Sequence, residues 1–173
     1  MPATSPTHRD ELLAEITRAF QDVPQPDEDL SGLAWPDLSD DFLREQLPFL
    51  ASPSPAGFRY YMPAFLGFAL REPIAQRLAS LLALLKLPTE LSGPAVTELL
   101  SYFEAASPPP VAVSSLMQQL TQANQALNLF VARASQLTPL PAKAIYHFLI
   151  YLQDAGTAAQ QQEAAVAIAR YWF

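Results

Sequence analysis

The chain has 173 residues, half of them apolar and only 16% charged, with a net charge of −7. Average chains carry roughly 25% charged residues, so whole-length disorder is excluded and a chain this long buries a core without disulfide or metal staples. It has no cysteine and only two histidines, His8 and His147, which removes thiol chemistry, iron–sulfur clusters and Cys-type zinc sites and leaves little for any metal centre.

Seventeen prolines, about twice the usual share of ~5%, punctuate the chain between periodic segments. Residues 1–6 read as a flexible lead-in. No basic region there runs into an apolar stretch, so no secretory signal is expected. Thr7 is placed to cap a helix with Asp10 three residues on, and Leu12, Leu13, Ile16, Ala19 and Phe20 form its apolar face. Val23-Pro24-Gln25-Pro26 ends it, and an acidic loop runs from Asp27-Glu28-Asp29 to Trp35-Pro36. Ser39 then caps a short helix with Phe42, Leu43 and Leu47 inward.

Ser54-Pro55 has the form of an N-cap followed by proline at the first helical position. The helix it opens carries Phe58-Arg59-Tyr60-Tyr61-Met62, meets Pro63 and continues to Leu70. Proline has no N–H, so the Arg59 carbonyl loses its helical partner and a kink is expected there. A freed carbonyl beside two phenols and a guanidinium makes Arg59, Tyr60 and Tyr61 a candidate pocket, although the spacing of Phe58, Tyr61, Phe65 and Phe68 also suits plain core.

A further helix is expected over 73–87, with Ile74, Leu78, Leu81, Leu82 and Leu85 on one face. It is too short to span a bilayer and carries Arg77 and Lys86, so no membrane segment is expected. Ser92-Gly93-Pro94 opens another helical segment ending near Ala106, and Pro108-Pro109-Pro110 reads as a stiff spacer. Over 113–137, Leu116, Leu120, Ala123, Leu127, Phe130, Ala134 and Leu137 recur in alternating steps of 4 and 3, a heptad seam. Its flanks lack Glu and Lys, which favours an intramolecular bundle helix over a dimer seam. The last two helices, 141–155 and 158–172, are separated by Gly156 as C-cap and Thr157 as N-cap, with Gln160 completing a capping box. The first of them is apolar nearly all round and is expected to be central. Residues 91–106 echo 140–155 at an offset of 49, read as two helices of similar apolar spacing.

Charge is strongly uneven. Residues 1–48 hold 11 acids and 3 bases, whereas 49–173 hold 6 acids and 7 bases. An acidic chain does not suit nucleic acid, whose phosphates need basic clusters. The acidic N-terminal part can instead steer a basic protein, and Trp35 within that rim has the arrangement of a binding hot spot. Asp27, Glu28, Asp29 and Trp35 are therefore the candidate partner-binding residues. Lys143, His147 and Asp154 share one helix face and read as its solvated side, with no nucleophile linked to them. The five glycines are isolated, so no phosphate-binding glycine loop is present.

Several segments resemble a family of small bacterial all-α domains of unknown function. They are Leu13-Ala14-Glu15-Ile16, Trp35-Pro36-Asp37-Leu38, Leu47-Pro48-Phe49-Leu50, Phe58-Arg59-Tyr60-Tyr61-Met62-Pro63-Ala64-Phe65-Leu66, Phe148-Leu149-Ile150-Tyr151-Leu152 and Ala169-Arg170-Tyr171-Trp172. The likeness spans 1–72 and 138–173. It implies a shared fold and carries no mechanism, and 88–137 stands outside it as a variable insertion.

The sequence thus predicts one all-α domain over 1–173, a compact bundle of seven or eight helices around a kinked helix near Pro63. It is expected to be cytoplasmic, monomeric, free of cofactor and metal, and to act as a non-catalytic interaction domain on a basic protein partner. The alternative is a small-molecule binder or enzyme at the Pro63 helix, and a dimer through 113–137 is a third possibility.

Overall fold

In a computed structural model, residues 6–27, 33–46, 54–72, 75–87 and 110–172 are described. Among them the fold is all-α. Seven α-helices occur, with one 3₁₀ turn and no strand: α1 (Pro6–Phe20), the turn Trp35–Asp37, α2 (Asp40–Gln46), α3 (Pro55–Arg71), α4 (Ala75–Leu85), α5 (Pro110–Ala134), α6 (Pro139–Ala155) and α7 (Ala158–Arg170). No helix among the described residues is long and apolar enough to cross a membrane. The helical segment expected after Ser92-Gly93-Pro94, the 91–106 half of the offset-49 echo, and Glu28 and Asp29 lie outside the described residues.

The chain divides into two compact units, Met1–Lys86 with Ala132–Phe173, and Leu87–Val131. The first is organised by α3, in which every residue from Tyr60 to Leu70 is buried. A helix apolar on all sides must be enclosed on all sides. Helix α1 packs against both α3 and α6, α6 packs on α7, α7 on α4, and α2 and the 3₁₀ turn close one side of α3. Leu12, Ile16 and Phe20 are the buried stripe of α1, one residue per turn. At Gly67 a Cβ would meet the Leu13 side chain of α1 at 3.5 Å, an ordinary contact, and the Arg71 guanidinium at 3.2 Å, so the α1–α3 interface is close without demanding glycine.

Helix ends follow local chemistry. The Ser54 side chain accepts the Gly57 N–H at 3.2 Å with Pro55 at the first helical position, and Ser39 accepts the Phe42 N–H at 3.2 Å. Helix α1 begins at Pro6, so Thr7 lies inside its first turn instead of capping it. Helix α3 runs unbroken through Pro63. Helix α4 ends at Leu85, whose carbonyl is one of the four that every helix leaves without an internal donor. The buried Trp172 indole supplies that donor, with Nε1 at 2.6 Å. Beside it, Lys86 Nζ reaches Glu163 Oε2 on α7 at 2.8 Å.

In the second unit the described residues are Leu87 and those of α5 up to Val131. The heptad seam expected there is only partly buried: Leu120 is 37% exposed, Ala123 and Leu127 are half-buried, and Phe130 is buried. Helix α5 stops at Ala134, so Leu137 falls beyond it and the seam is shorter than its spacing suggested. Arg133, at the C-terminal end of α5 in the first unit, is buried with its guanidinium 4.7 Å from the Phe58 ring centroid. Burial pushes its pKa below the usual arginine range.

The α6–α7 corner turns on two residues. Thr157 and Gln160 form the full capping box, with Thr157 N–H donating to Gln160 Oε1 at 2.8 Å and Gln160 N–H to Thr157 Oγ1 at 3.4 Å. Gly156 sits so tightly that a Cβ would lie 2.4 Å from the Leu152 carbonyl oxygen and 2.9 Å from Gln160 Cβ. Its φ is −75°, so space and not backbone handedness demands glycine. Thr157→Ala should cost about 1 kcal/mol, the usual worth of an N-cap. Gly156→Ala should cost more, because backbone must move. Urea unfolding followed by helical circular dichroism checks the order, and an equal or smaller loss for Gly156→Ala would contradict it.

Candidate functional site

The residues singled out in sequence fall in different environments. Asp27 is exposed, and Trp35 is half-buried in the 3₁₀ turn. Pro36 at the second position of that turn needs no donor, and the Asp37 N–H closes it on the Ala34 carbonyl at 2.9 Å. Tyr60 and Tyr61 are core residues, their rings edge-to-face at 4.9 Å, and Arg59 is half-buried. The backbone N–H of Trp35 points at the Tyr60 hydroxyl at 3.4 Å, a long contact. Trp35 and Tyr60, assigned by sequence to separate candidate sites, are thus neighbours. A cavity of about 70 Å³ lies at Pro63, walled by Leu13, Ile16, Trp35, Leu43 and Gly67, and none of Arg59, Tyr60 and Tyr61 lines it. That volume is far below the roughly 300–1,000 Å³ of ligand pockets.

The acidic N-terminal part splits into two groups. Asp40 takes Arg71 through Nη2 at 2.5 Å and Nε at 3.4 Å. Arg44 is forked onto Glu72 at 2.8 and 3.0 Å and also pairs with Asp41. These contacts fasten α2 to the C-terminal end of α3. Asp22, Asp27, Asp37 and Glu45 are exposed and have no ion-pair partner among the described residues. This second group carries no internal ion pair among the described residues and is open to an outside partner.

A site that sequence did not indicate lies where α1 faces α6. His147 Nδ1 stands 2.8 Å from Glu15 Oε1 and 2.9 Å from Oε2, across 132 residues of chain. An ionised carboxylate only accepts, so this contact needs the proton on Nδ1. His147 is therefore tied to α1, which corrects its reading as part of a solvated Lys143–His147–Asp154 stripe; Asp154 is exposed and makes no such tie. Two cavities flank this point, and Lys143 lines both. One, of about 260 Å³, is walled by Glu15, Arg18, Ala19, Leu140 and Lys143. The other, of about 360 Å³, is walled by Lys143, Ala134, Leu137, Tyr146, Tyr171 and Trp172. Tyr171 and Trp172 meet edge-to-face at 5.0 Å, and the Trp172 bond to Leu85 fixes that wall. Lys143 has no bonding partner among the described residues, and Arg18 bonds only the Ala14 carbonyl, at 3.3 Å. No group of three or more His, Asp or Glu side chains among the described residues could hold a metal ion.

Compared with protein-family models, curated proteins and solved structures, the chain gives no match.

The Asp40 clamp has a pH signature. Its hydrogen bond to Arg71, opposed in part by desolvation, holds the Asp40 carboxyl below its ordinary value. The contribution is present above the unfolded value near ~3.9 and is lost as pH falls through the lower folded value. Because the pair is part-exposed, it is worth about 1 kcal/mol or less. Asp40→Asn should lower the urea midpoint near neutrality, and the gap from wild type should close as pH falls through and below the ordinary carboxylate range. A gap that stays constant with pH would contradict the assignment.

Proposed function

We propose that the protein is a non-catalytic interaction domain, immunity-like or adaptor-like, that engages a basic protein through the surface around Asp27 and Trp35. The observation that carries this reading is the division of the acidic groups. Asp40 and Asp41 are paired with Arg71 and Arg44, whereas Asp22, Asp27 and Asp37 are exposed and have no ion-pair partner among the described residues. Leu33, 50% exposed, and Trp35, half-buried, lie between Asp27 and Asp37 in the chain, apolar residues flanked by acids. The 3₁₀ turn is packed on α3, so Trp35 and Asp37 are offered on a rigid support and little ordering entropy opposes binding through them. Exposed rim charges act mainly on the rate of encounter and its salt dependence.

The test compares affinity capture from the native host lysate by wild type and by a triple variant, Asp27→Asn, Glu28→Gln and Asp29→Asn. The expected result is a basic protein held by wild type and lost by the variant, with an association rate that falls as salt rises. Equal capture by both chains, or capture by neither, contradicts the proposal.

A further inference from the structure

Among the described residues, Lys143 alone lines both of these cavities, and the two walls it joins differ in chemistry. On one side stand a second cation, Arg18, and the carboxylate of Glu15; on the other stand Leu137, Tyr146, Tyr171 and Trp172. Glu15 is already engaged, both of its oxygens lying within 2.9 Å of His147 Nδ1. The polar end therefore holds two cations without a carboxylate partner among the described residues, against one carboxylate that has a partner.

We infer that this surface binds a small amphipathic monocarboxylate, with its carboxylate at Arg18 and Lys143 and its apolar or aromatic body against Tyr146, Tyr171 and Leu137. Three features select that class. The polar end carries a formal excess of one positive charge, counting Arg18 and Lys143 against Glu15, which matches a monoanion and leaves a phosphate dianion over-charged. Arg18 offers a planar fork suited to a carboxylate, and Lys143 a point charge with three donors. The larger cavity, at about 360 Å³, sits at the small end of the ligand-pocket range of roughly 300–1,000 Å³. Its wall is held in place, because Trp172 is anchored to the end of α4. A flat aromatic body gains edge and face contacts there at little cost in ordering.

The site is separate from the Asp27–Trp35 surface, so either proposal can fail without the other. The experiment is isothermal titration calorimetry on the full chain with 4-phenylbutyrate, its uncharged amide, and inorganic phosphate. Arg18 and Lys143 are exposed, so Arg18→Met and Lys143→Met should keep the helical content of wild type. Saturable one-to-one binding of the carboxylate is expected. The amide and phosphate should bind much more weakly, and each variant should lose about tenfold in affinity, the scale of one charge-assisted hydrogen bond. Tyr146→Ala, at the apolar end, should weaken the carboxylate as well. No saturation up to about 10 mM, where even a weak site would fill, overturns the inference. So does equal binding of acid and amide, or phosphate binding as well as the acid, or unchanged affinity in folded Arg18→Met and Lys143→Met.

Discussion

The complete burial of α3 from Tyr60 to Leu70 is the constraint on which the first unit depends. A helix with an apolar stripe needs a partner on one side, but a helix apolar on every side needs neighbours all around it. That demand explains why α1, α2 and the 3₁₀ turn converge on it, and why α1 then carries α6 on its other flank. Pro63 lies within this stretch. A helix-interior proline loses one hydrogen bond and its ring crowds the carbonyl four residues back, together a cost of about 3 kcal/mol. Here the surrounding side chains, Tyr61, Phe65, Leu66 and Phe68, are each 1% exposed or less, and their burial outweighs that cost at about 1.5–3 kcal/mol apiece.

What holds the periphery to this centre is a set of end-of-helix contacts. Arg44 and Arg71 join α2 to the tail of α3, Trp172 closes the last carbonyl of α4, Lys86 reaches α7, and the Thr157–Gln160 box sets the α6–α7 corner. The same contacts shape the two candidate surfaces. With Asp40 and Asp41 engaged at α2, Asp22, Asp27 and Asp37 are left without an ion-pair partner among the described residues. The Trp172 anchor places an aromatic wall opposite Lys143, and the Glu15–His147 bond holds α1 and α6 together along the polar end of that groove.

Features written in neighbouring residues were legible in the sequence itself. Ser39, Ser54-Pro55 and Thr157…Gln160 are capping signals in which donor and acceptor lie within four residues, so tertiary structure does not alter them. The all-α class followed from helical periodicity throughout. Thr7 failed as a cap because the preceding Pro6 is itself well suited to a first helical position. The 113–137 seam misled at its end: the spacing continues to Leu137, but α5 stops at Ala134. The α1–α6 surface was not legible, because Glu15 meets His147 and Arg18 shares a cavity with Lys143 only after more than a hundred residues of chain have folded back. Lys143 and His147 drew attention as a helix face, and Tyr171-Trp172 as part of a resemblance, but no local pattern places them together.

Helix α3 is the most enclosed element of the first unit and the one around which the rest is assembled. Native-state amide hydrogen exchange read by NMR tests this directly, since protection rises toward the global unfolding free energy only in the core. Amides from Tyr60 to Leu70, apart from Pro63, which has none, should exchange most slowly. Those of α1, α2 and the exposed turns of α5 should exchange faster. Amides of α3 that exchange as fast as those of α2, with the slowest protons elsewhere, would contradict it.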